Sequence, residues 1–274
     1  MWIIDLLRGL FAKKHKKAGL ALGSGGAKGA ALIGALRVFE EEGISFDIVA
    51  GTSIGSIVGA LYALGYSSAD MMNVIKSYGV TELPKILAYK LKGYTVTSLL
   101  DKMLGEKYFE DVSMPFAAVA TNIVTGGEVD ISRGKLSIAL AASSAIPPFF
   151  KPVTINDQKL IDGAFVNAVP ADVVKKMGAD VVISINLSSS DLNEASLSVL
   201  NGLYKTHGVK ACNRLEKGRA ASDYMLEPDI GDFLSTDIDK IDEMYYVGYT
   251  CAKEHIGEIK ALLKKHKIVF GTKK

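Results

Sequence analysis

A serine flanked by glycines stands between two apolar segments of the chain. Gly51-Thr52-Ser53-Ile54-Gly55 fits the pattern G-x-S-x-G. At a sharp turn from strand to helix, this pattern holds the serine in a strained conformation that pushes its Oγ out of the sheet. Gly51 and Gly55 are needed because larger side chains would collide where strand and helix cross. The pattern predicts a nucleophilic Ser53, with a tight turn and a capping serine as the alternative.

A glycine-rich loop precedes this serine and offers backbone donors. Gly23-Ser24-Gly25-Gly26-Ala27-Lys28-Gly29 follows a short apolar segment. A Walker A loop needs Gly-Lys followed by Ser or Thr, and the dinucleotide pattern counted from Gly23 needs glycine at Lys28, so neither nucleotide motif fits. Consecutive glycines still form a concave anion site. We expect the amides of Gly25 and Gly26 to form an oxyanion hole, each contributing about 3–4 kcal/mol to an acyl-transfer transition state; a ligand-free turn is the alternative.

The base for this serine is less evident. Asp162 in Asp162-Gly163-Ala164 follows an apolar segment and precedes small residues, so it can approach another strand end closely. A lone aspartate in a loop is commonly a turn or capping residue, and only the two glycine motifs make Asp162 a candidate. None of the four histidines lies in a glycine-marked loop at a strand end: His15, His207, His255 and His266.

In this order, the three motifs resemble those of the patatin-like phospholipase family, specifically its short bacterial members. The family pattern is a G-x-G-G-x-[KR]-G loop, a G-x-S-x-G elbow and a D-G-[GA] motif, matched by Gly23–Gly29, Gly51–Gly55 and Asp162–Ala164. The segment Ala142–Pro147 also resembles the Ala-Ser-x-Ala-x-Pro sequence that precedes the aspartate motif there. The resemblance covers about Lys17 to Val182, and Ser24 replaces the first of three successive glycines in many members.

The resemblance implies a reaction. Ser53 attacks an ester carbonyl, Asp162 is its general base in a dyad without histidine, and the amides of Gly25 and Gly26 hold the oxyanion. Lys28 matches a basic residue of the family, which supports the loop or orients phosphate head groups. The implied substrates are lipid or fatty-acyl esters, such as phospholipids and lysophospholipids, and no metal or other cofactor is implied.

The elements that must position these residues alternate between strands and helices. This alternation predicts an α/β protein, a three-layer α/β/α sandwich with a mainly parallel central sheet, whose ligands bind at the carboxyl ends of the strands. The predicted strands are Ala18–Leu22, Phe46–Ala50, Phe116–Asn122, Glu128–Ser132, Lys159–Asp162, Asp180–Leu187 and Tyr224–Glu227. The predicted helices are Ala30–Glu42, Ile54–Leu64, Ala69–Tyr78, Ser98–Leu104, Leu136–Ser144, Ala168–Met177 and Asp239–Lys265.

Composition limits the class of protein. The chain has 274 residues, 49% of them apolar and 23% charged, with a net charge of +2. This balance is typical of a globular domain and argues against a protein that coats nucleic acid. Cys212 and Cys251 are too few for a disulfide framework, so we expect reduced thiols and a cytoplasmic protein, with a single disulfide as the alternative.

Two segments raise the question of membrane contact. The uncharged stretch Ile48–Ala69 is long enough to span a bilayer, but its glycines favour a strand–turn–helix. Residues 1–17 form an amphipathic arm whose lysines follow its apolar part, which suits peripheral contact with an anionic inner membrane face. Docking of this arm on its own domain, or on a second subunit of a homo-oligomer, is the alternative. We divide the chain into this arm, a catalytic core over 18–190 and a mostly helical part over 191–274 packed on the same domain.

Three other functions share these residues. An esterase with a Ser-His-Asp triad would use His207 or His255 as its base. An acyltransferase would pass the acyl group to an acceptor other than water. A regulatory or scaffold protein would keep the fold without the reaction, although the complete set of candidate residues argues against it.

Overall fold

The centre of the protein is a mixed eight-stranded sheet. The computed structural model describes residues 15–77, 96–147, 149–187 and 215–271. The strands are β1 (Ala18–Leu22), β2 (Ile48–Thr52), β3 (Phe116–Asn122), β4 (Glu128–Ile131), β5 (Val153–Ile155), β6 (Gln158–Asp162), β7 (Val181–Ile185) and β8 (Tyr224–Leu226). Their order is β5-β6-β3-β2-β1-β7-β8, and β4 also pairs with β3. Strands β8, β7, β1, β2 and β3 are parallel, whereas β4, β5 and β6 are antiparallel to their neighbours.

Helices cover both faces of this sheet. They are α1 (Gly29–Glu41), α2 (Ile54–Ala63), α3 (Ser68–Ile75), α4 (Val96–Leu104), α5 (Leu136–Ser143), α6 (Ala171–Lys176), α7 (Glu216–Ala221) and α8 (Ile241–Lys265). Alternate residues of a strand point to opposite faces. Accordingly, Leu20 and Leu22 of β1 join the core beneath α1, α2, α5 and α8, whereas Ala21 joins the core beneath α6 and α7. The three-layer α/β/α architecture is confirmed.

Most predicted elements are present with shifted ends. β1 and β3 have the predicted bounds, and Ile48–Ala69 is a strand, a turn and a helix rather than a span. β2 starts at Ile48 instead of Phe46, because the Phe46 ring packs edge-on against Phe39 at 5.3 Å between centroids and its N–H donates to the Tyr62 hydroxyl. The helix predicted from Ala168 begins after Pro170, because the residue before a proline, here Val169, is disfavoured in the helical conformation.

Some features predicted from the sequence lie outside the residues that the structure describes. They are residues 1–14 of the arm, Tyr78, His207 and Cys212. Cys251 is a free thiol, and burial raises its pKa. Among the residues that the structure describes, no helix combines the length and the apolar character needed to cross a bilayer.

The ends of β2 and β6 meet on one edge of β3. β4 pairs with Ala118–Thr121 of β3, β2 with Phe116–Val119, and β6 with Ala120–Asn122. A strand edge holds one partner at each position, so β4 occupies one edge and β2 and β6 share the other. β2 ends beside Val119 and β6 ends beside Ala120, which are consecutive residues. The mixed sheet therefore brings the carboxyl ends of these two strands together.

Candidate active site

Ser53 occupies a strained turn at the carboxyl end of β2. Its φ and ψ are 55° and −125°, and α2 starts at the next residue. A positive φ is uncommon outside glycine, so surrounding contacts must enforce it. Ser53 is 6% exposed. This is the geometry that the G-x-S-x-G pattern predicts for a nucleophile elbow.

The two motif glycines permit a very close crossing of backbones. A Cβ on Gly51 would lie 2.1 Å from the Gly55 carbonyl oxygen, and one on Gly55 would lie 2.2 Å from that of Leu22. A Cβ on Gly29 would likewise lie 2.2 Å from Cγ1 of Ile54. Any side chain at these positions would push α2 away from β1 and β2. Steric exclusion therefore explains why these positions of the motifs are glycines.

Ser143, the last residue of α5, fixes the backbone of Ser53. The Ser143 Oγ accepts the Ser53 N–H at 2.9 Å and donates to the Val119 carbonyl at 2.6 Å. Ser143 is fully buried. In the sequence, Ser143 is one residue of the segment Ala142–Pro147, and nothing in that pattern indicates its contact with Ser53.

Asp162 ends β6 on the edge of β3 where β2 also ends. Its Oδ1 accepts the Ala164 N–H at 2.8 Å, and its backbone N–H donates to the Ala145 carbonyl. A Cβ on the following Gly163 would stand 2.2 Å from the Val119 carbonyl oxygen and 3.0 Å from Thr52 Cγ2. The loop of Asp162 thus packs against the residue before Ser53, and Asp162 is only 2% exposed.

The glycine loop lies where β1 ends, beside β2. Gly23 and Ser24 donate their N–H groups to Ile185 and Ala168 carbonyls. Within the described residues, no hydrogen bond uses the N–H of Gly25 or Gly26. The loop can therefore offer the two predicted amides to an anion.

A segment before α8 supports the glycine loop and was missed in the sequence. The Ala27 N–H donates to the Ser235 carbonyl at 2.8 Å, and a Cβ on Gly26 would stand 2.5 Å from that same oxygen. Gly26 has a φ of +60° as well. Burial lowers the pKa of Lys28, and the charge of Asp237 partly opposes this effect. No sequence signal pointed to Ser235, because it lies far along the chain.

The described histidines lie away from these groups. His15 is 3.6 Å from Asp47, whose carboxylate accepts the N–H of Ala18 at the amino end of β1. The His255 Nδ1 is 2.8 Å from the hydroxyl of Tyr224 on β8, three strands from β2. His266 follows the last residue of α8. In the described ranges, no group of three His, Cys, Asp or Glu residues could hold a metal ion.

The chain is similar to segments of curated proteins that are much longer. Lysophospholipase NTE1 from Meyerozyma guilliermondii is 28% identical over 288 residues, which cover 91% of this chain and 20% of that protein. Patatin-like phospholipase domain-containing protein 7 from Rattus norvegicus is 32% identical over 271 residues, which cover 84% of this chain and 20% of that protein. The chain thus spans about a fifth of the length of these curated relatives.

A solved structure and a family model complete the comparison. The crystal structure of VipD from Legionella pneumophila has a TM-score of 0.62 at 14% identity, covering 89% of this chain and 67% of that chain, which shows a shared fold. The model of the patatin-like phospholipase family matches residues 20–175, more than half of the chain and all three motifs. The protein therefore belongs to the patatin-like phospholipase family.

Proposed function

We propose that this protein hydrolyses acyl esters of lipids through an acyl-enzyme on Ser53. The observation that carries the proposal is the strained Ser53 at the end of β2, beside the end of β6 that bears Asp162. Support also comes from relatives whose names describe lysophospholipases. Phospholipids and lysophospholipids are the substrate class that we propose.

Each candidate residue has one role in the proposed reaction. Ser53 Oγ attacks the ester carbonyl carbon while its proton passes to the Asp162 carboxylate, and the Gly25 and Gly26 amides hold the resulting oxyanion. As the tetrahedral intermediate collapses, the alcohol leaves with the proton from Asp162. Water then attacks the acyl group on Ser53, giving its proton to Asp162, and the fatty acid departs as the Ser53 hydroxyl is restored.

Labelling with a fluorophosphonate tests this proposal. We expect wild-type protein to react at one site and to release fatty acid from lysophosphatidylcholine. Ser53→Ala should abolish both, and Asp162→Asn should lower kcat by about 10³-fold or more. His255→Gln and His207→Gln should leave kcat unchanged, whereas a Ser-His-Asp triad requires one of them to abolish turnover. Labelling that persists in Ser53→Ala would refute the proposal.

We also propose that residues 1–14 bring the enzyme to the cytoplasmic face of an anionic membrane. The following residues are anchored on the domain, because Lys16 Nζ and Lys17 N–H both bind the Asp180 carboxylate. A deletion that stops at residue 14 therefore spares these contacts. It should weaken binding to phosphatidylglycerol vesicles and leave hydrolysis of a soluble short-chain ester unchanged. Unchanged vesicle binding would contradict the proposal, and a change in oligomeric state would favour docking on a second copy.

A further inference from the structure

Thr52 joins the two halves of the candidate site. Its hydroxyl donates to the backbone carbonyl of Asn167 at 2.9 Å, and its Cγ2 methyl lies against Gly163. Asn167 donates its own N–H to the Gly163 carbonyl at 2.9 Å. Thr52 and Asn167 are both fully buried. The residue that precedes Ser53 therefore holds the loop that follows Asp162.

Charged groups anchor the far side of this contact. The Asn167 Nδ2 donates to Glu128 Oε2 at 2.9 Å and to Asp172 Oδ1 at 2.7 Å. Lys217 Nζ approaches the same two carboxylates at 2.9 and 3.2 Å, which compensates their charge. These three residues lie on β4, α6 and α7. The hydroxyl of Thr52 is thus bonded to a carbonyl that other elements hold in place, not to a free loop.

We propose that Thr52 is a positioning residue that sets the separation between Ser53 Oγ and the Asp162 carboxylate, an inference that rests on the proposed function. Its hydroxyl sets this separation by holding Asn167, whereas its methyl only packs against Gly163. Being buried beneath the elbow, Thr52 acts through these neighbours and not on the substrate. Without the hydroxyl, the loop of Asp162 loses its direct hydrogen bond to the residue that precedes Ser53. A shift of about 1 Å between the two can cost about 100-fold in rate.

A pair of variants separates the hydroxyl from the methyl. Thr52→Val replaces the hydroxyl by a methyl of similar size and suits a strand, whereas Thr52→Ser keeps the hydroxyl. We expect Thr52→Val to lower both kcat for a soluble p-nitrophenyl ester and the rate constant of fluorophosphonate labelling by about tenfold or more, with KM changed less than about twofold. Thr52→Ser should stay within about threefold of wild type.

The control removes an equally buried strand hydroxyl elsewhere. Ser184 on β7 bonds the Ser222 hydroxyl at 2.6 Å, so Ser184→Ala should lower the Tm without changing the labelling rate. Folded Thr52→Val that labels at the wild-type rate overturns the inference. If Thr52→Val does not fold, Asn167→Asp provides the test. A third carboxylate beside Glu128 and Asp172 should displace residue 167 and lower kcat by a similar factor. A wild-type kcat in Asn167→Asp would also overturn the inference. Failure of the wild type to label would instead refute the proposed function.

Discussion

At the scale of single residues, the candidate site depends on side chains that hold a strained backbone. Ser53 keeps a φ of 55° in a buried position, at a cost of order 1–3 kcal/mol that its surroundings must offset. Ser143 provides part of this support by bonding both the Ser53 N–H and the Val119 carbonyl. Ser53 is thereby tied directly to β3, the strand that also pairs with β6.

Removing that tie should affect both folding and catalysis. We expect Ser143→Ala to lower the free energy of unfolding by about 1–3 kcal/mol, because the buried Ser53 N–H loses its acceptor. The kcat for a soluble ester should fall about tenfold as Ser53 Oγ loses its fixed position. Urea unfolding and steady-state kinetics measure the two effects. Ser113→Ala removes another hydroxyl, bonded to the Ala63 carbonyl, and should leave kcat unchanged; an equal loss in both variants would contradict the assignment.

The sequence alone was sufficient to predict the site residues whose conformation depends on their immediate neighbours in the chain. Gly51, Ser53 and Gly55 form one continuous pattern because strand, turn and helix follow each other directly. Thr52 and Ser143 act through partners that are 115 and 90 residues away along the chain. No spacing rule within a single sequence connects such residues, so their roles become visible only in the fold.

At the scale of elements, α1 and α8 pack backbone against backbone through glycines. A Cβ on Gly248 would stand 1.9 Å from the Ala31 carbonyl oxygen, and one on Gly34 would stand 2.0 Å from that of Tyr245. Gly248→Ala should therefore lower the free energy of unfolding by about 1–3 kcal/mol. Gly257→Ala in the same helix meets nothing within 4 Å and should raise it by about 0.5–1 kcal/mol. Chemical unfolding of both variants measures these changes. Equal changes in the free energy of unfolding would refute the prediction.

The edge strand β8 is tied to α8 by a titratable hydroxyl. Tyr224 donates to Glu258 at 2.8 Å, and burial together with this bond raises the pKa of Tyr224 to about 12. A raised pKa means that the folded state prefers the protonated group, so this stabilisation is complete below pH 10 and is lost towards pH 12. At pH 8, the Tm of the wild type should be higher than that of Tyr224→Phe. This difference in Tm should disappear between pH 10 and 12. A difference independent of pH would disprove the assignment.

Sequence periodicity predicted element types better than strand pairing. The apolar runs of β1, β3 and β7 are fully buried, which made them recognisable. β5 was missed because it has only three residues and is partly exposed. The antiparallel placement of β6 on β3 depends on contacts between distant segments. Strand–helix alternation therefore predicted the mainly parallel sheet correctly but did not show that β6 pairs antiparallel with β3.

At the scale of the whole molecule, apolar side chains are exposed near the candidate site. Ile146 directly follows Ala145, whose carbonyl binds the N–H of Asp162, and Phe149 is 69% exposed close by. Lys151 follows Phe149 by two residues, and within the described residues it forms no ion pair. Exposed apolar and cationic groups that lie near the loop of Asp162 along the chain suit contact with an anionic phospholipid surface.

Vesicle binding tests this surface. Phe149→Ser should weaken binding to phosphatidylglycerol-containing vesicles by about tenfold, because a ring that would be buried in lipid is lost. Hydrolysis of a soluble ester should be unchanged. Val269→Ser is the control: Val269 is 79% exposed, but the nearby Gly271 binds Gly43, at the opposite end of the sheet. Equal binding by wild type and Phe149→Ser would place the lipid contact elsewhere, for example on residues 1–14.

The meeting of β2 and β6 on one edge of β3 has a consequence for how activity arises during folding. Ser53 and Asp162 become neighbours only after three strands, drawn from widely separated stretches of the chain, have assembled in register. Such non-local pairing is slow compared with helix formation. In a refolding experiment, the reactivity of Ser53 should therefore return later than the helical circular dichroism signal. The time at which Ser53 again reacts with a serine-directed reagent would report when the sheet is complete.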